Sequence, residues 1–208
     1  MDFSATNILL GITGILSLLC FNNETLRSKL VHSPYLESRN KEYYRMLTSG
    51  FIHNDYLHLL INCFVIYSFG NVVESYYKQY LGETNGLYLY VALYLVTIVA
   101  SDMFSYFKHE NNPSYAALGA SGTASGLLYS TILFSPWSKF YLYAAIPIPA
   151  IIFGFLYLAY ESYMSKRAMD NIGHDAHISG AIFGFLFTAV LVNDAFMDFF
   201  YKLMQGVS

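Results

Sequence analysis

The chain has 208 residues, of which 55% are hydrophobic and only 12% are charged, and its mean hydropathy is +0.39. Soluble domains carry roughly 25% charged residues, so this composition favours a lipid bilayer as the surroundings of the chain. The net charge of -3 is small and gives no reason to expect a nucleic-acid partner.

Six apolar segments are long enough to cross a hydrocarbon core of about 30 Å, which takes roughly 20 helical residues. They are 4–21, 56–74, 86–107, 115–134, 139–160 and 176–197. The first lacks the basic n-region and the small-residue cleavage site of a signal peptide, so we interpret it as a membrane helix. We find no internal repeat. The sequence therefore predicts one all-α, polytopic membrane domain over 1–208.

A long connection, 22–55, separates the first two spans. Its basic residues alternate with aromatic ones, a mixture typical of a segment in the membrane interface. The residues are Arg27, Lys29, Arg39, Lys41 and Arg45 with Tyr35, Tyr43, Tyr44 and Phe51.

Polar side chains inside the spans are costly in hydrocarbon and are kept where they have partners or a task. Any one of them is more often a packed, hydrogen-bonded residue than a catalyst. Here, however, they all lie near the start of spans two, four and six, which enter the membrane from the same side. They are His53, His58 and Asn62; Ser121 and Ser125; and His174, Asp175 and His177. Three segments that converge at one water-accessible depth predict a site.

Small residues predict that spans four and six approach closely. Gly119, Gly122 and Gly126 line span four, and Gly180 and Gly184 form a G-x-x-x-G pair on span six. Such residues let membrane helices meet backbone to backbone. A serine of span four can then meet an imidazole of span six, an arrangement that activates a nucleophile. The donors available to a developing oxyanion are His58, Asn62 and the backbone N–H of Ser121.

Two serines compete for the role of nucleophile. We assign it to Ser121, which we expect on the order of 10 Å below the start of its helix, near the aqueous end where His177 also lies. Ser125 is a turn deeper, and we interpret it as a packing hydroxyl or as one that supports the histidine.

Three motifs, in order, resemble those of the rhomboid intramembrane serine proteases. "GASG" (119–122) is similar to the nucleophile motif, "AHISGAIFG" (176–184) to the histidine motif, and "HNDYLHLLIN" (53–62) to the motif of span two. The likeness extends from about Tyr44 to Gly184.

The resemblance implies a six-helix bundle that acts as a serine endopeptidase, with a Ser121/His177 dyad and no third acid. It implies an oxyanion site made by His58, Asn62 and the Ser121 amide, with His53, Gly119, Gly122, Gly180 and Ser125 in support. Arg45 and Glu74 become structural residues flanking span two. In this family the fifth span acts as a gate, and here Pro147 and Pro149 are expected to deform it.

Two features depart from the family. An aromatic residue that stacks on the catalytic histidine is replaced by Ser125, so Tyr129, Tyr157 or Tyr160 is expected to take its place. The family also implies that the active site opens toward the extracytoplasmic side. The basic residues favour the reverse by the positive-inside rule, since eight lie on active-face loops and three on the other side.

Other classes of function remain open at this point. One is a catalytically inactive rhomboid-like binder of membrane helices. Another is a metal or haem protein ligated by His53, His58, His174 and His177, because the last two have workable ligand spacing. A transporter is disfavoured by the lack of repeats. As a protease the chain requires no cofactor or metal, and its partners are transmembrane protein substrates in the lipid bilayer, with an unstable spanning helix and small residues at the cut.

Overall fold

The structure is a computed structural model that describes residues 4–142, 145–167 and 172–206. In these residues the chain is helical apart from one two-stranded hairpin, so the predicted all-α class is confirmed. The helices are α1 (Ala5–Phe21), α2 (Glu24–Leu30), α3 (Pro34–Asn40), α4 (Tyr44–Thr48), α5 (Tyr56–Leu81), α6 (Glu83–His109), α7 (Ser121–Phe134), α8 (Ala150–Arg167), α9 (His174–Leu191) and α10 (Asn193–Gln205), and the strands are β1 (Lys139–Leu142) and β2 (Ile146–Pro149).

Helix α7 lies at the centre, with α5, α6, α8, α9 and α10 packed around it. Every residue from Gly122 to Phe134 is buried. At 1.5 Å per residue the helix is about 21 Å long, which is shorter than a hydrocarbon core of about 30 Å. Its neighbours therefore shield it from lipid, and the hydroxyls of Ser125, Ser130 and Thr131 find partners in protein.

Glycines bring α7 and α9 into backbone contact. A Cβ atom placed on Gly180 would lie 2.1 Å from the carbonyl oxygen of Gly122, and one on Gly184 would lie 2.4 Å from that of Gly126. No side chain fits in this space. The close approach predicted for the fourth and sixth segments is confirmed.

Helix α1 is anchored to α5 through a carboxylate. Glu74 is only 3% exposed, and it accepts hydrogen bonds from the Ala5 and Thr6 N–H groups at 3.0 and 2.9 Å. It also accepts from the hydroxyls of Ser4 and Thr6, both at 2.8 Å. The Ala5 and Thr6 N–H groups belong to the first turn of α1 and have no partner within the helix, and negative charge is favoured at this end of a helix. The structural role expected for Glu74 follows from these contacts.

The long connection folds into the short helices α2, α3 and α4 and one 3-10 turn, Ser49–Phe51. Arg45 is the buried cation that organises it. Its guanidinium donates to Glu42 at 2.5 Å and to the backbone carbonyls of Ser28 and Val31 at 2.7 and 3.3 Å. Arg45 therefore ties α4 to α2, as its expected structural role requires.

Two predicted helix boundaries are wrong. Residues 115–120 form an irregular segment and α7 begins at Ser121, so this serine is the first helical residue instead of lying about 10 Å inside the helix. Residues 139–142 and 146–149 pair as antiparallel strands, with Lys139 opposite Pro149. Prolines fix φ and lack an N–H, which suits an isolated edge pairing better than a helix interior.

The last apolar segment also divides. Helix α9 ends at Leu191, and the chain turns at Val192 into α10. At 18 residues, α9 spans about 27 Å, and the polar residues that follow it start a separate helix. Lys202 of α10 donates to the Phe134 carbonyl at 2.8 Å and so ties α10 to the end of α7.

Among the described residues, three helices are long and apolar enough to cross a membrane by length and composition: α5, α6 and α9. The shorter α1 is also apolar. The count of six spans and the single domain over 1–208 stay predictions.

The glycine contact gives a test of the core. We expect Gly184→Ala to lower the free energy of unfolding by about 1–3 kcal/mol, because the new methyl group meets backbone atoms that cannot move without separating the helices. Gly14→Ala on α1 is the matched control, since a Cβ there meets nothing within 4 Å. Thermal unfolding of both variants in detergent checks this; equal melting temperatures would show that the contact can relax.

Candidate active site

The segment before α7 is held by backbone hydrogen bonds from the long connection. Ala117 and His32 exchange two bonds, each of 3.0 Å, and the Gly119 N–H donates to the Ser49 carbonyl at 3.0 Å. The chain that leads into Ser121 is thus fixed at Ala117 and Gly119. Sequence analysis did not predict this clamp, because its partners lie some 70 to 85 residues away along the chain.

His53 completes the clamp. Its Nε2 accepts from the Ala120 N–H at 3.4 Å, and its Nδ1 lies 3.0 Å from the Ser17 Oγ. Because Nε2 accepts, the ring proton must be on Nδ1, which donates to Ser17, while Ser17 donates onward to the Phe51 carbonyl at 3.2 Å. His53 is therefore a neutral, fully buried support for the residue before Ser121.

Gly119 has a φ of +120°, a region that side chains rarely adopt. A Cβ at this position would also lie 2.8 Å from Cε1 and 3.0 Å from Nε2 of His58. The imidazole of His58 thus packs directly on the loop that carries the serine. His58 and His53 are edge to face, with ring centroids 4.8 Å apart.

Ser121 is half-buried and is the first residue of α7. The first N–H groups of a helix have no partner within the helix, and the positive end of the macrodipole favours negative charge there. An oxyanion next to Ser121 would therefore meet a free backbone donor. Because α7 begins at Ser121, the Ser121 N–H is one of these unpaired donors, which supports its predicted role as an oxyanion donor.

His177 lies in the first turn of α9, facing the same end of α7. A Cβ on Gly122 would be 3.2 Å from the Ala176 carbonyl oxygen, so the neighbours of Ser121 and His177 are in contact. Among the described residues, the Ser121 hydroxyl makes no hydrogen bond to the imidazole. Catalytic hydrogen bonds are often long in the absence of substrate and shorten when it binds.

Tyr157 of α8 supplies the aromatic ring beside His177. The two ring planes are within 23° of parallel, with centroids 6.5 Å apart. Ser125 lies 2.7 Å from the Tyr157 hydroxyl and also donates to the Ser121 carbonyl at 3.0 Å. Of the three tyrosines considered, Tyr129 instead donates to the Gly154 carbonyl and Tyr160 lies edge-on to His174.

Asn62 is 5% exposed, and its Nδ2 donates to the His58 carbonyl at 3.0 Å. In the described structure it makes no hydrogen bond outside α5. The structure therefore brings His58 to the Ser121 loop and leaves the amide of Asn62 one turn deeper.

Glu161 is a site residue that the sequence analysis missed. It is 4% exposed, and its two oxygens lie 3.1 Å from the Nδ1 of His177 and 2.5 Å from that of His174. The predicted fifth span stopped at residue 160, whereas α8 continues to Arg167. The signal that was available is the spacing of Tyr157 and Glu161, which are four residues apart on one helical face.

Glu161, His174 and His177 also form a group whose ligand atoms lie within 4.8 Å of one another. Two imidazoles and a carboxylate are a ligand set that zinc accepts. Of the four histidines in the predicted metal set, His174 and His177 converge here, while the rings of His53 and His58 lie edge to face with each other.

Burial lowers the pKa of His53 to about 3, so the folded protein keeps this ring neutral while an unfolded chain protonates it below about pH 6.5. Stability from this residue is therefore present above pH 6.5 and is lost as the pH falls toward 3. We expect a loss of about 2 kcal/mol at pH 5. In thermal unfolding from pH 8 to 5, His53→Gln should flatten the curve relative to the wild type, and an unchanged slope would contradict the assignment.

A family model of the Rhomboid domain matches residues 40–194. The chain is 26% identical over 143 residues to RHOMBOID-like protein 12, mitochondrial, of Arabidopsis thaliana, covering 65% of this chain and 43% of the relative. It is 27% identical over 169 residues to Rhomboid-like protein 11, chloroplastic, of the same plant, covering 74% and 54%. It is 28% identical over 150 residues to Rhomboid protease GluP of Bacillus subtilis, covering 72% and 26%.

The chain thus matches about half or less of the length of these relatives. The matched region contains the clamped loop, the glycine contact and both halves of the candidate site. The chain belongs to the rhomboid family of membrane proteins.

Proposed function

We propose that the protein is an intramembrane serine protease that hydrolyses peptide bonds in or near the spanning segments of membrane proteins. The observation that carries the proposal is the position of Ser121. It is the first residue of α7, follows a clamped loop, and lies where α7 meets the end of α9 that bears His177. Rhomboid protease GluP of Bacillus subtilis, similar over 72% of this chain, supports the same reading.

In the proposed reaction, His177 removes the proton from Ser121 as the Oγ atom bonds to the scissile carbonyl carbon. The imidazolium then gives this proton to the leaving amine as the C–N bond breaks, and the acyl-enzyme forms. Water completes the cycle, with His177 again as base and then as acid.

The oxyanion is stabilised by the backbone N–H of Ser121 at the positive end of α7, by His58 and by Asn62. His58 already touches Gly119. Asn62 must turn its second amide hydrogen toward the substrate, because the first is donated to the His58 carbonyl in the same helix.

The substrate must enter as an extended strand for its carbonyl to reach Ser121. A membrane protein whose spanning helix is unstable near one end, with small residues at the cut, meets this requirement. We place the active site on the extracytoplasmic side, following the family and against the count of basic residues.

The second candidate is a metal protein, favoured by the convergence of Glu161, His174 and His177. Glu161 is hydrogen-bonded to His174 and lies at ion-pair distance from His177, however, so charge and hydrogen bonding also account for this convergence without a metal. An inactive binder is disfavoured because both the serine and the histidine are present.

The identity of the nucleophile can be tested with a fluorophosphonate, which labels only an activated serine. The wild type and Ser125→Ala should be labelled, whereas Ser121→Ala and His177→Ala should not. A single-span test substrate should be cleaved in the same pattern, and EDTA should leave cleavage unchanged.

Labelling that persists in Ser121→Ala and is lost in Ser125→Ala would transfer the role to the deeper serine. Cleavage that is lost in EDTA and restored by zinc would favour the metal protein instead.

The oxyanion donors give a separate test. Loss of one donor typically removes about 2.7 to 4 kcal/mol of transition-state stabilisation, so His58→Ala and Asn62→Ala should each lower kcat about 10²- to 10³-fold with little change in KM. If both variants melt early and bind no substrate, these residues are structural.

A further inference from the structure

Helix α8 directs two side chains at the catalytic imidazole. Tyr157 lies against the ring and Glu161, one turn later, lies at its Nδ1 edge. Both side chains come from one face of one helix, so a single element sets both the plane and the edge environment of His177.

Glu161 is a costly residue to bury. Its side chain is 5% exposed, and an isolated carboxylate in such surroundings carries a large desolvation penalty unless it is paired. Its Oε1 faces His177 and its Oε2 faces His174. Among the described residues, the carboxylate is therefore paired with two imidazole groups.

Holding α8 against α9 does not by itself require Glu161. The adjacent acid, Asp175, already links the helices, since it accepts from Ser165 of α8 and from Lys108 of α6, the latter at 2.7 Å. Asp175 is partly exposed, and in the described part of the chain it forms no hydrogen bond or ion pair with His177. Asp175 thus links the helices, whereas Glu161 lies beside His177, the proposed general base.

The position of Glu161 selects a tautomer. A carboxylate at Nδ1 favours the proton on that nitrogen, which leaves the Nε2 lone pair for the hydroxyl of Ser121. At 3.1 Å the carboxylate is at ion-pair distance, but the Nδ1 atom has no aligned hydrogen-bond acceptor. The effect of the Glu161 carboxylate on His177 is therefore mainly electrostatic, and it is greatest when His177 becomes positively charged.

We infer that Glu161 is a positioning residue that completes a Ser121–His177–Glu161 arrangement, in place of a dyad without a third acid. The inference rests on the proposed function. The proton of Ser121 moves to Nε2 as the Oγ–C bond forms and later passes to the leaving nitrogen as the C–N bond breaks. Glu161 keeps its negative charge throughout and acts through His177 without touching the substrate.

The test uses the full chain in detergent with the single-span substrate. Glu161→Gln keeps the shape of the side chain and removes its charge, and we expect kcat to fall about 100-fold with KM unchanged. The rate of fluorophosphonate labelling should fall in parallel. Glu161→Asp, which keeps the charge, should recover a measurable part of the loss.

Asp175→Asn is the matched control, because it weakens a link between α8 and α9 without changing the surroundings of His177. We expect its kcat to equal that of the wild type. If Glu161→Gln does not fold, Glu161→Ala is assayed with added formate, which should restore cleavage, whereas neutral formamide should not.

An unchanged kcat in Glu161→Gln overturns the inference. So do equal losses of kcat in Glu161→Gln and Asp175→Asn with equal losses of melting temperature, since that pattern indicates a tether. If the wild type is neither labelled nor able to cleave, the proposed function itself is refuted. This outcome differs from failure of the inference about Glu161, in which the wild type is active and Glu161→Gln is equally active.

Discussion

The backbone contact between α7 and α9 is the constraint on which the rest of the structure depends. Gly122 and Gly126 on one helix meet Gly180 and Gly184 on the other. Lipid tails are as apolar as leucine, so there is no hydrophobic gain from bringing two membrane helices together, and close van der Waals packing has to supply the attraction. The same contact brings the first turn of α7, which holds Ser121, next to the first turn of α9, which holds His177.

The polar residues form a second layer of organisation around this contact. Three of them lie where a backbone group would otherwise lack a partner. Glu74 receives the N-terminal donors of α1, His53 receives the Ala120 N–H, and Arg45 donates to two carbonyls of the long connection. In a bilayer unsatisfied backbone groups are costly, so these side chains fix irregular chain that could not otherwise be buried.

The sequence predicted those features that depend on local spacing or composition. The glycine spacing predicted the helix contact, whereas the roles assigned to Ser121, His177, His58 and Asn62 stay predictions. Hydropathy alone did not reveal that α7 begins at Ser121 or that a hairpin occupies the start of the fifth segment, because apolar loops and strands resemble helices in such a profile. Glu161 was missed because its partners belong to another helix, and the role of His53 depends on a tertiary contact with Ala120.

The two ends of α8 are held in different ways. At its start, the Ala150 and Ile151 N–H groups bond to the carbonyls of Ser138 and Pro136, at 2.8 and 2.9 Å, which closes the hairpin against the helix. Glu161 lies about 16 Å further along. A rotation of α8 about the hairpin end therefore acts as a lever, with the smallest displacement at Ala150 and a larger one at the carboxylate. The distance between Glu161 and His177 is therefore more sensitive to the tilt of α8 than any contact that the first turn of this helix makes with the hairpin.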